Sequence, residues 1–326
     1  MKNKEGLPIS FLQSRRQSAA KKRYRQTLSS MKRIKRKITK AIIPAAGFGT
    51  RFLPATKSMP KEMLPIVDKP IIQYVVEEAV ASGIKDIIIV TGWHKRSIED
   101  YFDYPYELEK RLEEAGKSKE LEEVRRIAEM ANFIYVRQKG PYGNATPVYC
   151  CRHLIDDDED VAVLWGDEFI YSNPPRLSQM MKVYEELGGA VISAVRVDQE
   201  DVSRYGIADV EPVSGNIHRI KKIVEKPALG KAPSDLATHG AYILPGEIFP
   251  ILQNLKPGKG GELWLPEAID KLIQSGFPVY ACEIKNGRYY DTGNKLEYLK
   301  ANIDFALQRP DLKEGLKKYL KTICEK

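Results

Sequence analysis

Two glycines and two cations lie close together in the segment KAIIPAAGFGTRFLPATKSMPKEMLPIVD, residues 40–68. Gly47 and Gly49 permit backbone conformations that a β-carbon would forbid, so that successive N–H groups can converge on phosphate oxygens. Arg51 adds a planar guanidinium and Lys61 a mobile ammonium, and both groups match phosphate. The residue types and their spacing therefore predict a site for a nucleoside triphosphate.

An isolated G-x-G is usually only a turn beside solvated cations. Here Thr50, Arg51 and the run PKEMLP favour phosphate binding over a simple turn. The segment is not a P-loop, because no G-K-[ST] follows the glycines, and Phe52 stands where a dinucleotide-binding G-x-G-x-x-G would place its third glycine.

The elements that must position this loop are a strand before it and a helix after it. Residues 41–43 are apolar and predict a buried strand, and residues 44–49 form the loop at its carboxyl end, where open α/β sheets bind ligands. Residues 70–83 have proline near the start, helical apolar spacing and glycine at the end, which predicts a helix. A strand over 86–91 follows, and this order begins a doubly wound parallel sheet.

The rest of the chain continues this α/β pattern. We predict strands over 132–138, 161–170 and 279–284, a charged helical insertion over 97–130, a second sheet region with a hairpin after residue 190, and helices from 266 and over 294–307. These elements predict one mixed α/β domain over 39–310 with a smaller second sheet subregion. A leader over 1–38 precedes it, and a helical tail over 311–326 follows.

Two aspartates far apart in the sequence could share a metal ion. Asp167 follows Gly166 in the predicted strand over 161–170, and Asp291 follows Tyr290 in YYDTGN. Carboxylates on separate elements can meet across a sheet and hold one Mg²⁺, which usually takes only one or two of them. Each aspartate alone is more often a cap or a turn residue than a metal ligand.

Further polar residues suit a sugar phosphate and a pyrimidine. In VEKP, Glu225 could accept hydrogen bonds from sugar hydroxyls while Lys226 neutralises a phosphate, although an exposed ion pair before a proline is the simpler alternative. Gln138 can donate and accept at a pyrimidine edge, and Gly143 leaves room for the base.

The pattern G-x-G-T-R followed by P-K resembles the signature of the sugar-phosphate nucleotidylyltransferases. Within that family, residues 50–79, TRFLPATKSMPKEMLPIVDKPIIQYVVEEA, are similar to prokaryotic uridylyltransferases that act on glucose 1-phosphate. The resemblance extends over about residues 40–309. It implies a Rossmann-like nucleotide-diphospho-sugar transferase fold with a doubly wound, mixed and mainly parallel sheet, in which the smaller sheet subregion binds the sugar.

The resemblance also implies a role for each candidate residue. It makes Asp167 and Asp291 the Mg²⁺ ligands and Arg51, Lys61 and Lys226 the catalytic cations. UTP would be bound by Ala45, Ala46, Gly47, Gly49, Thr50, Glu62, Gln138 and Gly143. Glucose 1-phosphate would be bound by Gly206, Glu225, Lys226 and Gly240. A homodimer or homotetramer is expected on the same basis.

The chain departs from the uridylyltransferase pattern in three places. GNATP, residues 143–147, stands where G-L-G-H-A is common, Gly166 stands where proline is usual, and Pro266 replaces a polar residue. A Gly-Asp pair is also found in thymidylyl relatives. A transferase that uses dTTP or another hexose 1-phosphate therefore remains an alternative, as does a non-catalytic protein that senses nucleotide sugars.

Composition limits the possible partners. Residues 1–40 hold 14 Lys or Arg against one acid, Glu5, so the net charge of +8 comes from a basic leader and the remaining chain is mildly acidic. We expect this leader to be disordered. It could be an extension upstream of a start at Met31, a tail that touches nucleic acid or an anionic surface, or a transit peptide.

We expect no membrane partner, since no apolar stretch is long enough to span a bilayer, and no nucleic-acid partner except through the leader. Four cysteines without C-x-x-C spacing favour a reducing cytoplasm.

Overall fold

A computed structural model describes residues 37–324 of the chain. The predictions for the basic leader therefore fall almost entirely on residues 1–36, which lie outside the described residues.

The described strands are β1 Lys40–Ala45, β2 Pro65–Ile66, β3 Lys69–Pro70, β4 Asp86–Thr91, β5 Asn132–Arg137, β6 Val161–Leu164, β7 Phe169–Ser172, β8 Ala190–Arg196, β9 Gly206–Ser214, β10 Ile217–Glu225, β11 Leu236–Leu244, β12 Val279–Glu283 and β13 Gly287–Tyr290.

The α-helices are α1 Ile71–Ala81, α2 Arg96–Tyr101, α3 Tyr106–Glu114, α4 Ser118–Ala128, α5 Ala145–Cys150, α6 Arg176–Leu187, α7 Ile248–Gln253, α8 Leu265–Gln274, α9 Lys295–Gln308 and α10 Lys313–Cys324. Short 3-10 turns lie at Thr50–Phe52, Ala55–Lys57, Lys61–Met63, Arg152–Leu154, Val202–Arg204 and Lys259–Gly261. None of the described helices is long and apolar enough to cross a membrane.

Nine of the described strands form one sheet in the order β5-β4-β1-β6-β11-β8-β12-β10-β9. β5, β4, β1 and β6 run parallel to one another, and β12 runs parallel to β8. β11 and the β9–β10 hairpin pair antiparallel with their neighbours. The mixed sheet is confirmed. Parallel pairing dominates in the half that carries the glycine loop, and the predicted hairpin extends this same sheet.

Helices cover both faces of the sheet, because alternate residues of its central strands point to opposite sides. Ile43 in β1 and Ile87 in β4 lie in one core with α1, α6 and α9. Their neighbours Ile42 and Ile88 lie in a second core with α5, α7 and α8. The doubly wound arrangement that the sequence predicts is therefore present.

The charged insertion forms α2, α3 and α4. α3 and α4 are joined at Gly116, whose φ is +69°, and Arg125 Nε donates to Glu109 Oε2 at 2.8 Å across the pair. Neither helix buries much apolar surface, and α3 buries none of its residues. The insertion is thus the solvated helical hairpin predicted for it.

One predicted strand is wrong. The run over 161–170 divides into β6 and β7, and β7 pairs with β13 in a separate two-stranded sheet. The backbone leaves the large sheet after Leu164, where Trp165 N–H donates to Gly240 O and Gly166 N–H donates to Pro44 O. Asp167 therefore lies in a connection between two sheets, at the edge where the parallel strands end.

Candidate active site

The glycine loop leaves the carboxyl end of β1 and folds back on Lys61. Gly49 has a φ of +67°, and a β-carbon there would lie 3.1 Å from Lys61 Cβ. A β-carbon on Gly47 would lie 3.4 Å from Lys61 Nζ. Thr56 Oγ1 donates to Gly49 O at 2.6 Å and holds the turn closed. Both glycines therefore allow the lysine to lie directly against the loop.

Lys61 forms an ion pair with Asp167. Burial lowers the pKa of Lys61, but the nearby carboxylates of Asp167 and Glu62 outweigh burial, so that its pKa is raised overall. Burial raises the pKa of Asp167, but the charge of Lys61 outweighs burial and holds this pKa below its usual value. Both groups are therefore charged at neutral pH, and both keep about a quarter of their side-chain surface exposed, 26% for Lys61 and 28% for Asp167.

A second ion pair lies beneath the first. Lys95 Nζ is 2.7 Å from Glu62 Oε2, and each side chain is only 1% exposed. The carboxylate of Glu62, which the sequence analysis assigns to nucleotide binding, thus contacts Lys95. Nothing in the pattern around Lys95, at the start of α2, distinguishes it from the other cations of this charged segment.

Asp291 reaches the same edge of the fold through β13. Tyr290 pairs with Phe169 in the β7–β13 ladder, and Thr292 Oγ1 donates to the backbone oxygen of Asp167. The two predicted metal ligands are thereby brought together. Asp291 Oδ1 also accepts from Gly293 N–H at 3.2 Å, and Arg204 Nη2 lies 3.4 Å from its other oxygen.

The oxygen donors at this point suit a hard cation. Among residues 37–324, no three His, Cys, Asp or Glu side chains form a group that could hold a metal ion by themselves. Two partly exposed carboxylates leave room for phosphate and water, the ligands with which Mg²⁺ completes its octahedral shell. Asp167 and Asp291 therefore fit a magnesium ion that is shared with a substrate.

Arg51 lies on the Asp291 side of the loop. It is exposed in the turn Thr50–Phe52, and its Nη1 would be 3.1 Å from a β-carbon on Gly293. The predicted cations Arg51 and Lys61 thus approach the aspartates from two directions.

The predicted sugar residues meet at one end of the β9–β10 hairpin. Gly206 is paired with Glu225, and a β-carbon on Gly206 would lie 3.1 Å from Glu225 Oε2. Lys226 has a φ of +45°, its N–H donates to Tyr205 O at 3.0 Å, and its Nζ is 3.8 Å from Glu225 Oε1. Both charged side chains are about half exposed, so they are free to receive a ligand.

Gly240 lies between these residues and the aspartates. Its φ is +39°, and a β-carbon there would overlap the side chain of Glu168. Tyr289 Oη donates to Glu168 Oε2 at 2.8 Å. Burial, and then the neighbouring Asp167, raise the pKa of Glu168 to about 7. The sequence analysis did not single out Glu168, although it follows Asp167 directly.

A cavity of about 640 Å³ opens on the other side of the loop. Ala46 and Gln138, two of the four residues predicted to bind the base, line this cavity, whereas Ala45 and Gly143 are not among its lining residues. Its walls also contain aromatic residues that the sequence analysis missed, namely Phe48, Trp93, His94 and Tyr142. The rings of Phe48 and His94 are parallel within 2°, with centroids 5.6 Å apart. Exposed aromatic faces of this kind suit a planar base.

Two of the unusual sequence segments contact each other beside this cavity. Gly143 has a φ of +118°, and a β-carbon there would overlap the backbone of Leu263. Asn144 Oδ1 accepts from Leu265 N–H at 2.7 Å, and Ala145 N–H donates to Leu263 O at 3.0 Å. The segments GNATP and ELWLP therefore pack directly against each other.

Comparison with known proteins agrees with this geometry. The family described as Nucleotidyl transferase matches residues 40–308. A UTP--glucose-1-phosphate uridylyltransferase of Staphylococcus haemolyticus (strain JCSC1435) is 50% identical over 288 residues, which cover 88% of this chain and 99% of that protein.

Two solved structures are also similar. A UDP-glucose pyrophosphorylase complexed with UDP-glucose has a TM-score of 0.76 at 40% identity, over 84% of this chain and 100% of that one. A UTP-bound UGPase from Acinetobacter baumannii has a TM-score of 0.80 at 40% identity, over 87% of this chain and 99% of that one.

Proposed function

This chain belongs to the nucleotidyl transferase family, and we propose that it forms UDP-glucose and pyrophosphate from UTP and glucose 1-phosphate. The observation that carries the proposal is the contact between Lys61 and Asp167. It lies between a cavity suited to a base and a group of residues suited to a sugar phosphate. Relatives that are named for this reaction, or that hold UTP or UDP-glucose, support the choice of substrates.

The reaction is a direct displacement at the α-phosphorus of UTP. A phosphate oxygen of glucose 1-phosphate forms the new P–O bond, and the bond to pyrophosphate breaks. No general base is required, because the attacking oxygen is already anionic near neutral pH. The protein must instead hold two mutually repelling anions in line and neutralise the charge that develops.

The cations of the site are assigned to the two substrates. The N–H groups of the Gly47–Gly49 loop, with Thr50, Arg51 and Lys61, bind the triphosphate. Lys226 binds the phosphate of glucose 1-phosphate, and Glu225 accepts hydrogen bonds from the sugar hydroxyls. Gly206 and Gly240 let the hexose approach the backbone. The Ala45–Ala46 backbone, Gln138 and Gly143 bind the uracil.

Asp167 and Asp291 would hold Mg²⁺. The ion, when bound, supplies positive charge beside the phosphates of the reacting group. The ammonium of Lys61 contacts Asp167 and therefore lies next to the place proposed for this ion. The enzyme is proposed to act in the cytoplasm as a homodimer or homotetramer, and its four cysteines form no disulfide.

A panel of four nucleoside triphosphates, including dTTP, combined with several hexose 1-phosphates tests this proposal. We expect pyrophosphate release to be fastest with UTP and glucose 1-phosphate. A preference for dTTP or for another hexose phosphate would overturn the substrate assignment. Release with none of the combinations would overturn the enzyme assignment in favour of a protein that only binds nucleotide sugars.

A further inference from the structure

The Glu62–Lys95 pair has no role in the reaction proposed above, yet it is buried next to the Lys61–Asp167 pair. Lys95 Nζ and Glu62 Oε2 are 2.7 Å apart, and neither side chain has more than 1% of its surface exposed. Burying two full charges is costly unless each remains paired. An ion pair kept at this depth beside a reactive centre therefore calls for a functional explanation.

Four charges alternate in sign from the surface inward. Asp167 contacts Lys61, Lys61 is next to Glu62 in the sequence, and Glu62 contacts Lys95. The side chain of Glu62 also lies close to the backbone before Asp167, since its Cγ would be 3.4 Å from a β-carbon on Gly166. Glu62 thus lies close to both members of the outer pair.

Lys61 has two carboxylates within its electrostatic reach. Asp167 and Glu62 both favour the charged form of its ammonium. Because Lys95 neutralises Glu62, the ammonium of Lys61 contacts Asp167 beside the glycine loop. Without Lys95, the unpaired buried carboxylate of Glu62 would compete with Asp167 for the ammonium of Lys61.

We propose that Lys95 is a positioning residue, which neutralises Glu62 and thereby leaves Lys61 free to contact Asp167 and the triphosphate. This inference rests on the role of Lys61 in the proposed function. Lys95 does not touch the substrates, because it is buried, and it acts through Lys61.

The position of Lys95 also links this pair to the base cavity. Lys95 N–H donates to Gly92 O at 3.3 Å, and Gly92 and His94 both line the cavity. A β-carbon on Gly92 would lie 3.3 Å from Ala46 O, so the turn after β4 is packed against the nucleotide loop. The buried pair therefore connects the turn beside the base to the cation beside the phosphates.

The test compares Lys95→Met with the double variant Glu62→Gln/Lys95→Met. We expect the single variant to lower kcat by about 10- to 100-fold, the usual effect of removing a group that orients a reactive one. The KM for glucose 1-phosphate should stay the same, since Lys226 and Glu225 are unchanged. The double variant has no free carboxylate to capture Lys61, and it should recover most of the lost kcat.

Lys40→Met is the matched control. Lys40 forms an ion pair of 2.8 Å with Glu159 at the end of β1 opposite the loop, and the two side chains are 24% and 17% exposed. Its loss should lower the unfolding temperature and leave kcat unchanged. If the kcat of Lys95→Met is that of wild type, or if the double variant is no more active than the single one, the positioning role is wrong.

A crystal structure of Lys95→Met provides a readout that does not depend on turnover. We expect Lys61 Nζ to move from Asp167 to Glu62, and an unchanged Lys61–Asp167 contact would contradict the inference. Wild-type turnover of UTP and glucose 1-phosphate is measured separately. Its absence would count against the proposed function, whereas the position of Lys61 would still decide the role of Lys95.

Discussion

The ammonium of Lys61 contacts the carboxylate of Asp167, although 106 positions separate the two residues in the chain. The contact follows from the sheet, because β1 and β6 are adjacent parallel strands with Ala41 opposite Ala162. Loops that leave the carboxyl ends of adjacent parallel strands meet at one edge. The loop that leads to Lys61 and the connection that holds Asp167 both leave the sheet there, so strand pairing brings the two charges to the same edge.

Lys226→Ala should weaken the use of glucose 1-phosphate. The lysine is more than half exposed, and its nearest carboxylate is 3.8 Å away, so its loss should not change the unfolding temperature. We expect kcat/KM for glucose 1-phosphate to fall about 100-fold, as for other charge-stabilising donors. Steady-state kinetics at saturating UTP measure this effect. Lys222→Ala, at an exposed lysine on strand β10 just before Lys226, is the control, and equal kinetics for the two variants would contradict the assignment.

Gly206→Ala should affect the sugar and spare the nucleotide. The new methyl group would lie 3.1 Å from both Glu225 Oε2 and Thr238 Oγ1, so the glutamate has to move. A displacement of this kind can cost up to about 100-fold in catalytic efficiency. We expect the KM for glucose 1-phosphate to rise and the KM for UTP to stay constant.

Gly315→Ala provides the comparison for that substitution, since a β-carbon there meets no atom within 4 Å. It should leave both KM values unchanged. A rise in the KM for UTP with Gly206→Ala would contradict the assignment of Gly206 to glucose 1-phosphate.

The buried imidazole of His239 should make the fold sensitive to acid. Burial, and then the charges of Arg176 and Arg204, lower the pKa of His239 to about 3, whereas an unfolded histidine titrates near 6.5. Between these values the unfolded chain binds the extra proton, so this residue lowers stability as the pH falls through that range. The slope is up to about 1.4 kcal/mol per pH unit.

His239→Gln removes the titrating group. Urea unfolding at pH 6.5 and pH 4.5 should show that the variant loses less stability than wild type over this interval. Equal losses in the two proteins would show that His239 does not titrate in the way its burial indicates.

The sequence predicted the parts of the fold that depend on local patterns. The helix near 70–83 follows from helical apolar spacing between proline and glycine, and it is present as α1, Ile71–Ala81. The strand over 86–91 follows from a short apolar run, and it is present as β4 with identical limits. The glycine loop was also predictable from the sequence, because the positive φ at Gly49 favours glycine over other residue types.

Features that depend on distant contacts were not predictable from these patterns. Residues 161–170 are apolar at both ends with Asp167 and Glu168 between them, and the pairing of Phe169 with Tyr290 divides them into two strands. Lys95 lies in a segment rich in exposed charges, and only the packing of Glu62 against it shows that it is buried. The aromatic walls of the base cavity likewise come from three separate loops, those of Phe48, Trp93 and Tyr142.

The most direct test of the whole account is UDP-glucose formation by Asp167→Asn and by Lys61→Ala, with UTP and glucose 1-phosphate as substrates. Each variant should lose at least about 100-fold in rate, with circular dichroism showing an intact fold. Asp157→Asn, at a carboxylate that is 87% exposed, should retain the wild-type rate. A near-normal rate from either Asp167→Asn or Lys61→Ala would contradict the claim that these two residues form the reactive centre.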